Sequence, residues 1–328
     1  MSVNDDVYSR MLKHRALLTL YEKRLDTEID KILKSHKIRL QRIIALSGTA
    51  NINALTRKVN TEIRKTYKKI YKEGISELNV LAGVSARFYK NIFTKALNNI
   101  YKAKGVKDTL KVNDLIIRSN GTYSQQLASI SILEQRRIKG IVKNGMTQNK
   151  AMINIAQDVG RSGLLASTVQ LKTLTRTAIT ETSNFVSNTT YKLNDDVVQG
   201  YQYVATLDSR TSLICGRLDG KVYSLDNKNA PQPPQHFNCR STTIPVIKST
   251  NQLLNTDNNR LQKRKIARLT DSRRASINGQ VPAKLTYPEW LKTQSNDVKL
   301  AVLGSQKRVT VFNSGKVKFS QFSNKDGK

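Results

Sequence analysis

The sequence predicts an α+β fold with an elongated, mostly α-helical and basic region over 1–144. A small α+β module follows over 145–249, and a basic linker with a C-terminal extension of one short helix and a hairpin closes the chain over 250–328. Apolar residues recurring every seven positions without proline mark the first region, and β-type alternation broken by Asp-Gly and Pro-Pro marks the second. Hydrophobic residues make up 38% and aromatics 6% of the 328 residues, which favours long solvated helices over one thick core.

The first region begins with Met11, Leu18, Leu25 and Ile32, a narrow stripe of the kind that zips against another helix. After a break at Ser47-Gly48, Leu55, Val59, Ile63 and Ile70 predict a second helix. Phe88, Ile92, Ala96 and Ile100 predict a third, ending at Lys104-Gly105. A helix from Tyr123 through Lys139 is followed by a stop at Asn144-Gly145, and Thr147 is the expected N-cap of a short helix reaching Val159. Gly160 and Gly163 predict a turn. A further helix spans about Ser167 to Leu193, with Leu171, Leu174, Ala178, Phe185 and Tyr191 as its expected buried face. Arg176 and Glu181 point about 140° apart around it, so each is expected to meet the following module rather than the other.

Lys and Arg number 56 against 24 Asp and Glu, for a net charge of +32. Such an excess repels itself unless a polyanion lies close; nucleic acid, an anionic membrane surface or an acidic protein would each satisfy it. The excess is uneven: 30 basic against 13 acidic residues over 1–160, 10 against 7 over 161–259, and 16 against 4 over 260–328. A nearly neutral centre between basic flanks suggests a compact module with the polyanion-facing surface on its arms. The opening MSVNDDVYSR has acids where a secretory signal needs positive charge, and no stretch approaches 18 uncharged apolar residues, so a soluble chain made inside a cell is expected.

Val197 to Ala205 alternates like a strand, a polar loop through Asp208 and Arg210 follows, and Leu218-Asp219-Gly220-Lys221 is a hairpin-turn signal leading into Val222 and Tyr223. Three of the six prolines, Pro231, Pro233 and Pro234, precede Gln235-His236-Phe237-Asn238-Cys239-Arg240. Cys215, His236 and Cys239 are the whole cysteine complement and one of three histidines. His236 and Cys239 can reach one ion from a loop, and the Asp219-Gly220 turn could bring Cys215 beside them, as in a zinc site. A fourth Cys or His is missing: Ser212 stands where a Cys-x-x-Cys partner would be, leaving Asp208, Asp219 or a water for that place. Three readings stay open, namely bound zinc, reduced thiols packed against a hydrogen-bonded His236, and a Cys215–Cys239 disulfide.

The order Arg176-Thr177 to Glu181, then Thr206-Leu207-Asp208-Ser209-Arg210-Thr211, then Cys215 to Leu218-Asp219-Gly220-Lys221, then Pro233-Pro234-Gln235-His236-Phe237-Asn238-Cys239-Arg240 resembles the phage Mu F-like head morphogenesis family. It does so directly over about 145–247. The resemblance implies a minor capsid protein of a tailed phage, made in the bacterial cytoplasm and carried inside the head near the portal. The implied partners are the portal protein, packaged double-stranded DNA and a scaffolding or major capsid protein, with no membrane. Head assembly and DNA packaging or ejection are the implied roles, and no reaction is implied. Relatives often carry another cysteine at the position of Ser212.

In the tail, Arg260, Lys263, Arg264, Lys265, Arg268, Arg273 and Arg274 sit in a stretch without apolar period, which predicts a basic linker suited to phosphates. Pro288 is expected to open a helix through about Leu303, with Trp290 docked on the preceding module. Arg308–Phe312 and Lys316–Phe319 read as a hairpin. A structural, DNA-handling virion protein is the favoured function, and catalysis is not expected. The alternative is a zinc-dependent hydrolase of nuclease or peptidase type on Cys215, His236 and Cys239, with Glu181 or Asp208 as base. Against it, no His-x-x-x-His helix, nucleophile pair, phosphate loop or paired carboxylates appear.

Overall fold

The computed structural model describes residues 3–48, 51–97, 101–106, 112–118, 120–249, 252–253, 273–276, 279–282 and 285–322. Two long helices come first, α1 (Val3–Ala45) and α2 (Ile52–Ala96). Met11, Leu18, Leu25 and Ile32 of α1 and Leu55, Val59, Ile63 and Ile70 of α2 are all buried, so both stripes are packing faces. The chain leaves α1 through Gly48 at φ +45°, a left-handed conformation that suits glycine. The expected second and third helices are one. No proline interrupts 71–88, and Leu78, Leu81 and Ala82 carry the buried stripe across the join.

Next come α3 (Tyr123–Thr147), α4 (Met152–Asp158) and α5 (Leu165–Leu193). Thr122 caps α3 in a capping box with Gln125. The expected stop at Asn144-Gly145 is overridden, because Gly145 lies where a Cβ would stand 2.6 Å from Ile155 Cγ1. It is a close-packing position rather than a cap. Ala151, not Thr147, precedes α4, and Gly160 and Gly163 fall in a π-helical turn, Val159–Gly163. Leu171, Leu174, Ala178 and Tyr191 are buried on α5 as expected, but Phe185 is 41% exposed.

Three antiparallel strands, β1 (Val198–Val204), β2 (Val222–Ser224) and β3 (Thr242–Ile247), are ordered β2-β1-β3. Tyr201 pairs with Tyr223 on one side and Pro245 on the other. Pro245 has no N–H to donate, which an edge strand tolerates. Between β1 and β2 stands α6 (Leu213–Leu218), so Asp219-Gly220 joins a helix to a strand and is not a hairpin turn; Gly220 takes φ +79° there. A second pair, β4 (Arg273–Ser276) with β5 (Gly279–Pro282), is antiparallel.

The C-terminal hairpin is overturned. Over 285–322 the chain forms α7 (Tyr287–Lys292), α8 (Asn296–Leu303), α9 (Gln306–Asn313) and a 3-10 turn, Phe319–Phe322. Val309 and Phe312, three apart, are buried while Val311 is 39% exposed, so the period is helical rather than two. Ser305 caps α9 by accepting from the Arg308 N–H. The helix expected from Pro288 to Leu303 is two helices, divided where Ser295 caps α8. Thr286 and Glu289 form a capping box at α7 with Pro288 in its first turn, as the sequence suggested.

The chain divides into two compact units. One comprises Met1–Leu18, Ala82–Leu110 and Thr180–Lys328, and the other Thr19–Leu81 and Lys111–Ile179. The first holds the sheet and a small core in which Tyr287, Trp290, Leu291, Leu303, Val309 and Phe312 close over Leu207. A Cβ on Gly216 of α6 would lie 2.7 Å from Tyr287 Cδ1, so α6 meets the extension without a side chain between them. Near its N-terminal stretch, His14 stacks on Phe88 at 4.1 Å, and the Arg15 Nε donates to the Arg240 carbonyl at 2.9 Å. The second unit is helical and has a buried polar centre. Glu134, fully buried, accepts from Tyr67 Oη and meets His36 Nε2, each at 2.8 Å; His36 Nδ1 lies 2.9 Å from Thr66 Oγ1. Burial first, then the Glu134 carboxylate, push the Tyr67 hydroxyl far above its ordinary range, so it stays a donor. Among the described residues, no helix is long and apolar enough to cross a membrane.

Candidate metal centre

Local structure brings the two cysteines together. Ser212 caps α6 by accepting from the Cys215 N–H at 3.3 Å, which fixes Cys215 in the first turn with its side chain buried. In the loop before β3, Asn238 takes φ +59° and the Cys239 N–H reaches back to the His236 carbonyl at 3.2 Å. That tight turn puts His236 and Cys239 on one side. The Thr180 hydroxyl of α5 donates to the Cys239 carbonyl at 2.9 Å and holds the loop down.

Cys215 Sγ then stands 3.2 Å from His236 Nε2 and 3.6 Å from Cys239 Sγ, and the three donor atoms all lie within 4.8 Å of one another. Both cysteines are free thiols, so no disulfide joins them. Tyr203 Oη of β1 lies 3.2 Å from Cys215 Sγ. His236 Nδ1 is 2.8 Å from the Phe237 carbonyl, which can only accept, so Nδ1 carries the proton and the Nε2 lone pair faces the sulfurs. Hydrogen bonding to Cys215 holds the Cys239 thiol well below its ordinary value, while the Cys239 contact and burial push Cys215 up.

The remaining motif residues do other work. Asp208 is clamped by Arg240, whose Nη1 and Nη2 donate to its two oxygens at 2.5 and 2.6 Å, and it accepts from the Arg210 N–H at 3.0 Å. The Arg210 guanidinium is exposed and only flanks it, at 3.6 Å. Asp219 bridges chain segments, accepting from the Ala205 N–H at 2.7 Å and the Tyr287 N–H at 2.6 Å. Neither carboxylate is the expected fourth ligand. Gly220 supplies the positive φ that the turn needs. Arg176 belongs to the second unit, where its Nε donates to Asp26 Oδ2 of α1 at 3.1 Å. Glu181 lies on α5 in the first unit, half-buried. Arg260, Lys263, Arg264, Lys265 and Arg268 lie outside the described residues, whereas Arg273 and Arg274 are in β4 and not in a linker. Trp290 is docked and buried, as expected.

Burial alone would raise the Asp208 carboxyl, but the Arg240 guanidinium outweighs it and holds Asp208 below its ordinary value. A depressed folded pKa stabilises the fold above the unfolded value, about 4, and that contribution fades as pH falls through the folded value. Acid unfolding of the intact chain should therefore show a steep loss below about pH 4. Asp208→Asn should lower stability at neutral pH and flatten that limb, as measured by denaturant melts across pH. An unaltered acid limb would show that the clamp contributes nothing.

Sequence reasoning missed Tyr203, since a tyrosine in an apolar strand reads as packing. It also missed the bridge made by Asp219, which needed the extension to be seen as part of the core. The His36 and Glu134 pair was visible only as a histidine four residues after Ile32, on the apolar face of α1.

Residues 134–244 match the family model described as Phage Mu protein F like protein. No curated protein and no solved structure matches the chain significantly. The matched segment runs from the second half of α3 into β3 and contains every motif position from Arg176 to Arg240. That segment, about a third of the chain, is thus similar to the Mu F-like phage head morphogenesis domain.

Proposed function

We propose that this phage head protein is a minor component of the virion interior, docked at the portal. There it holds packaged DNA during packaging or ejection through phosphate contacts that ignore sequence. The observation that carries the DNA part is the outer face of α2. Arg57, Lys58, Arg64, Lys65, Lys68, Lys69 and Lys72 are all exposed within sixteen residues, and the one acid among them, Glu62, is buried and bonded by Arg39. At about 1.5 Å per residue these cations span roughly 22 Å, enough for several phosphates of one strand. The family match supports the place of action, a phage head. A catalytic role has less support, because Asp208, the acid best placed to serve as base, is committed to Arg240.

Binding to duplexes of unrelated sequence should be equal at a given salt concentration, with log affinity falling about 0.9 for each phosphate engaged per log unit of salt. Neutralising Arg64, Lys65, Lys68 and Lys69 to glutamine should make that slope shallower by about one for each phosphate that is then left unneutralised. An unchanged slope in that variant would move the binding face off α2, and tight preference for one sequence would overturn the mechanism.

A further inference from the structure

We propose that Cys215, His236 and Cys239 bind one zinc(II) ion with three protein ligands and a water in the fourth position, and that the ion staples α6 to the loop preceding β3. This goes beyond the role at the head and does not rest on it. The donor set is the first ground: two thiol sulfurs and one imidazole nitrogen are the soft and borderline ligands that zinc selects. Geometry is the second. With zinc bonds of about 2.3 Å to sulfur and 2.0–2.1 Å to nitrogen, tetrahedral ligand pairs lie roughly 3.5–3.8 Å apart. The observed separations of 3.6 Å between sulfurs and 3.2 Å from Cys215 Sγ to Nε2 need shifts of a few tenths of an ångström, and the third pair, Cys239 Sγ and Nε2, lies within 4.8 Å.

Orientation is the third ground. Nδ1 is held by the Phe237 carbonyl, so the ring offers the correct nitrogen, in the arrangement that outer partners of metal-bound histidines impose. Tyr203 Oη supports Cys215 Sγ from the other side. The fourth place falls to solvent, because Asp208 and Asp219 are bonded elsewhere and Ser212 Oγ caps α6. On binding, any proton held by the thiols is released to solvent, with both sulfurs bound as thiolates. The role is to hold structure: the nearby carboxylates are engaged and leave no base for a bound water.

The test uses the full-length chain, purified under reducing conditions and stripped with a chelator. Zinc analysis after reloading should give one ion per chain, and cobalt(II) should give the visible bands of a tetrahedral site with thiolate-to-metal charge transfer in the near ultraviolet. Cys215→Ser, His236→Gln and Cys239→Ser should each abolish the charge-transfer signal or the stoichiometric binding. Tyr203→Phe, which keeps the ring packing, should weaken zinc about tenfold, and Ser212→Cys should tighten it and shift the cobalt spectrum to three sulfurs. The wild-type result stands even if a variant fails to fold. A folded wild type that takes up neither metal, binding that survives loss of both cysteines, or a chain whose two thiols are found oxidised to each other would each overturn the proposal. Salt-dependent DNA binding is a separate readout, so its loss with metal uptake intact would count against the role at the head alone.

Discussion

Trp290→Ala should destabilise the first unit by about 3–5 kcal/mol, the cost of emptying a buried aromatic site that cannot collapse. Trp290 is 1% exposed and packs at 5.2 Å from the Tyr287 ring, in a core completed by Leu207, Leu291, Leu303 and Phe312. The surrounding helices are short, and α7 has only six residues. Helices this short are marginal in water without tertiary contacts, so removing the residue that organises them should loosen all three together. Ending the chain after Pro282 should do more. It would uncover Leu207 and Gly216 and leave Asp219 without the Tyr287 N–H. Denaturant unfolding followed by far-ultraviolet circular dichroism measures both, since the chain's one tryptophan is the residue being changed. A loss below about 1 kcal/mol for Trp290→Ala would mean that the extension is an appendage.

Glu134→Ala should cost the second unit about 3–5 kcal/mol, because it removes one member of a buried, hydrogen-bonded set and leaves two others unsatisfied. His36 and Glu134 are both fully buried, and the Tyr67 hydroxyl donates to the same carboxylate. Glu134→Gln keeps an acceptor for one partner and should cost distinctly less. Thermal melts of the two variants give the comparison, and equal losses would show that shape rather than hydrogen bonding holds this centre.

How far the sequence reaches is best seen at particular residues. The stripes at Met11–Ile32 and Leu55–Ile70 were legible because a long helix repeats its burial pattern often enough to be counted. The gathering of Cys215, His236 and Cys239 was legible from composition, because rare donors concentrated in a short stretch need a cause. Arg308–Phe312 was not legible: five residues satisfy both a two-residue and a three-to-four-residue period, and the choice belongs to the surface they meet, here Tyr287 and Leu303. Gly145 and Gly216 misled or were passed over for one reason. A glycine that lets another side chain approach looks the same in sequence as one that ends a helix.

The division of the chain bears on the order in which it can become native. Residues 19–81 and 111–179 are complete as soon as position 179 has left the ribosome, whereas the first unit needs residues on both sides of them. The Arg15 contact to Arg240 spans 225 positions. At about 5–20 residues per second, the N-terminal stretch waits roughly 11–45 s for that partner to be made. During the wait His14 can already meet Phe88, but the Arg15 guanidinium lacks the carbonyl that it bonds in the finished protein. The nascent chain thus passes through a state in which one unit is complete and the other half-built, and slower synthesis after position 179 would prolong it.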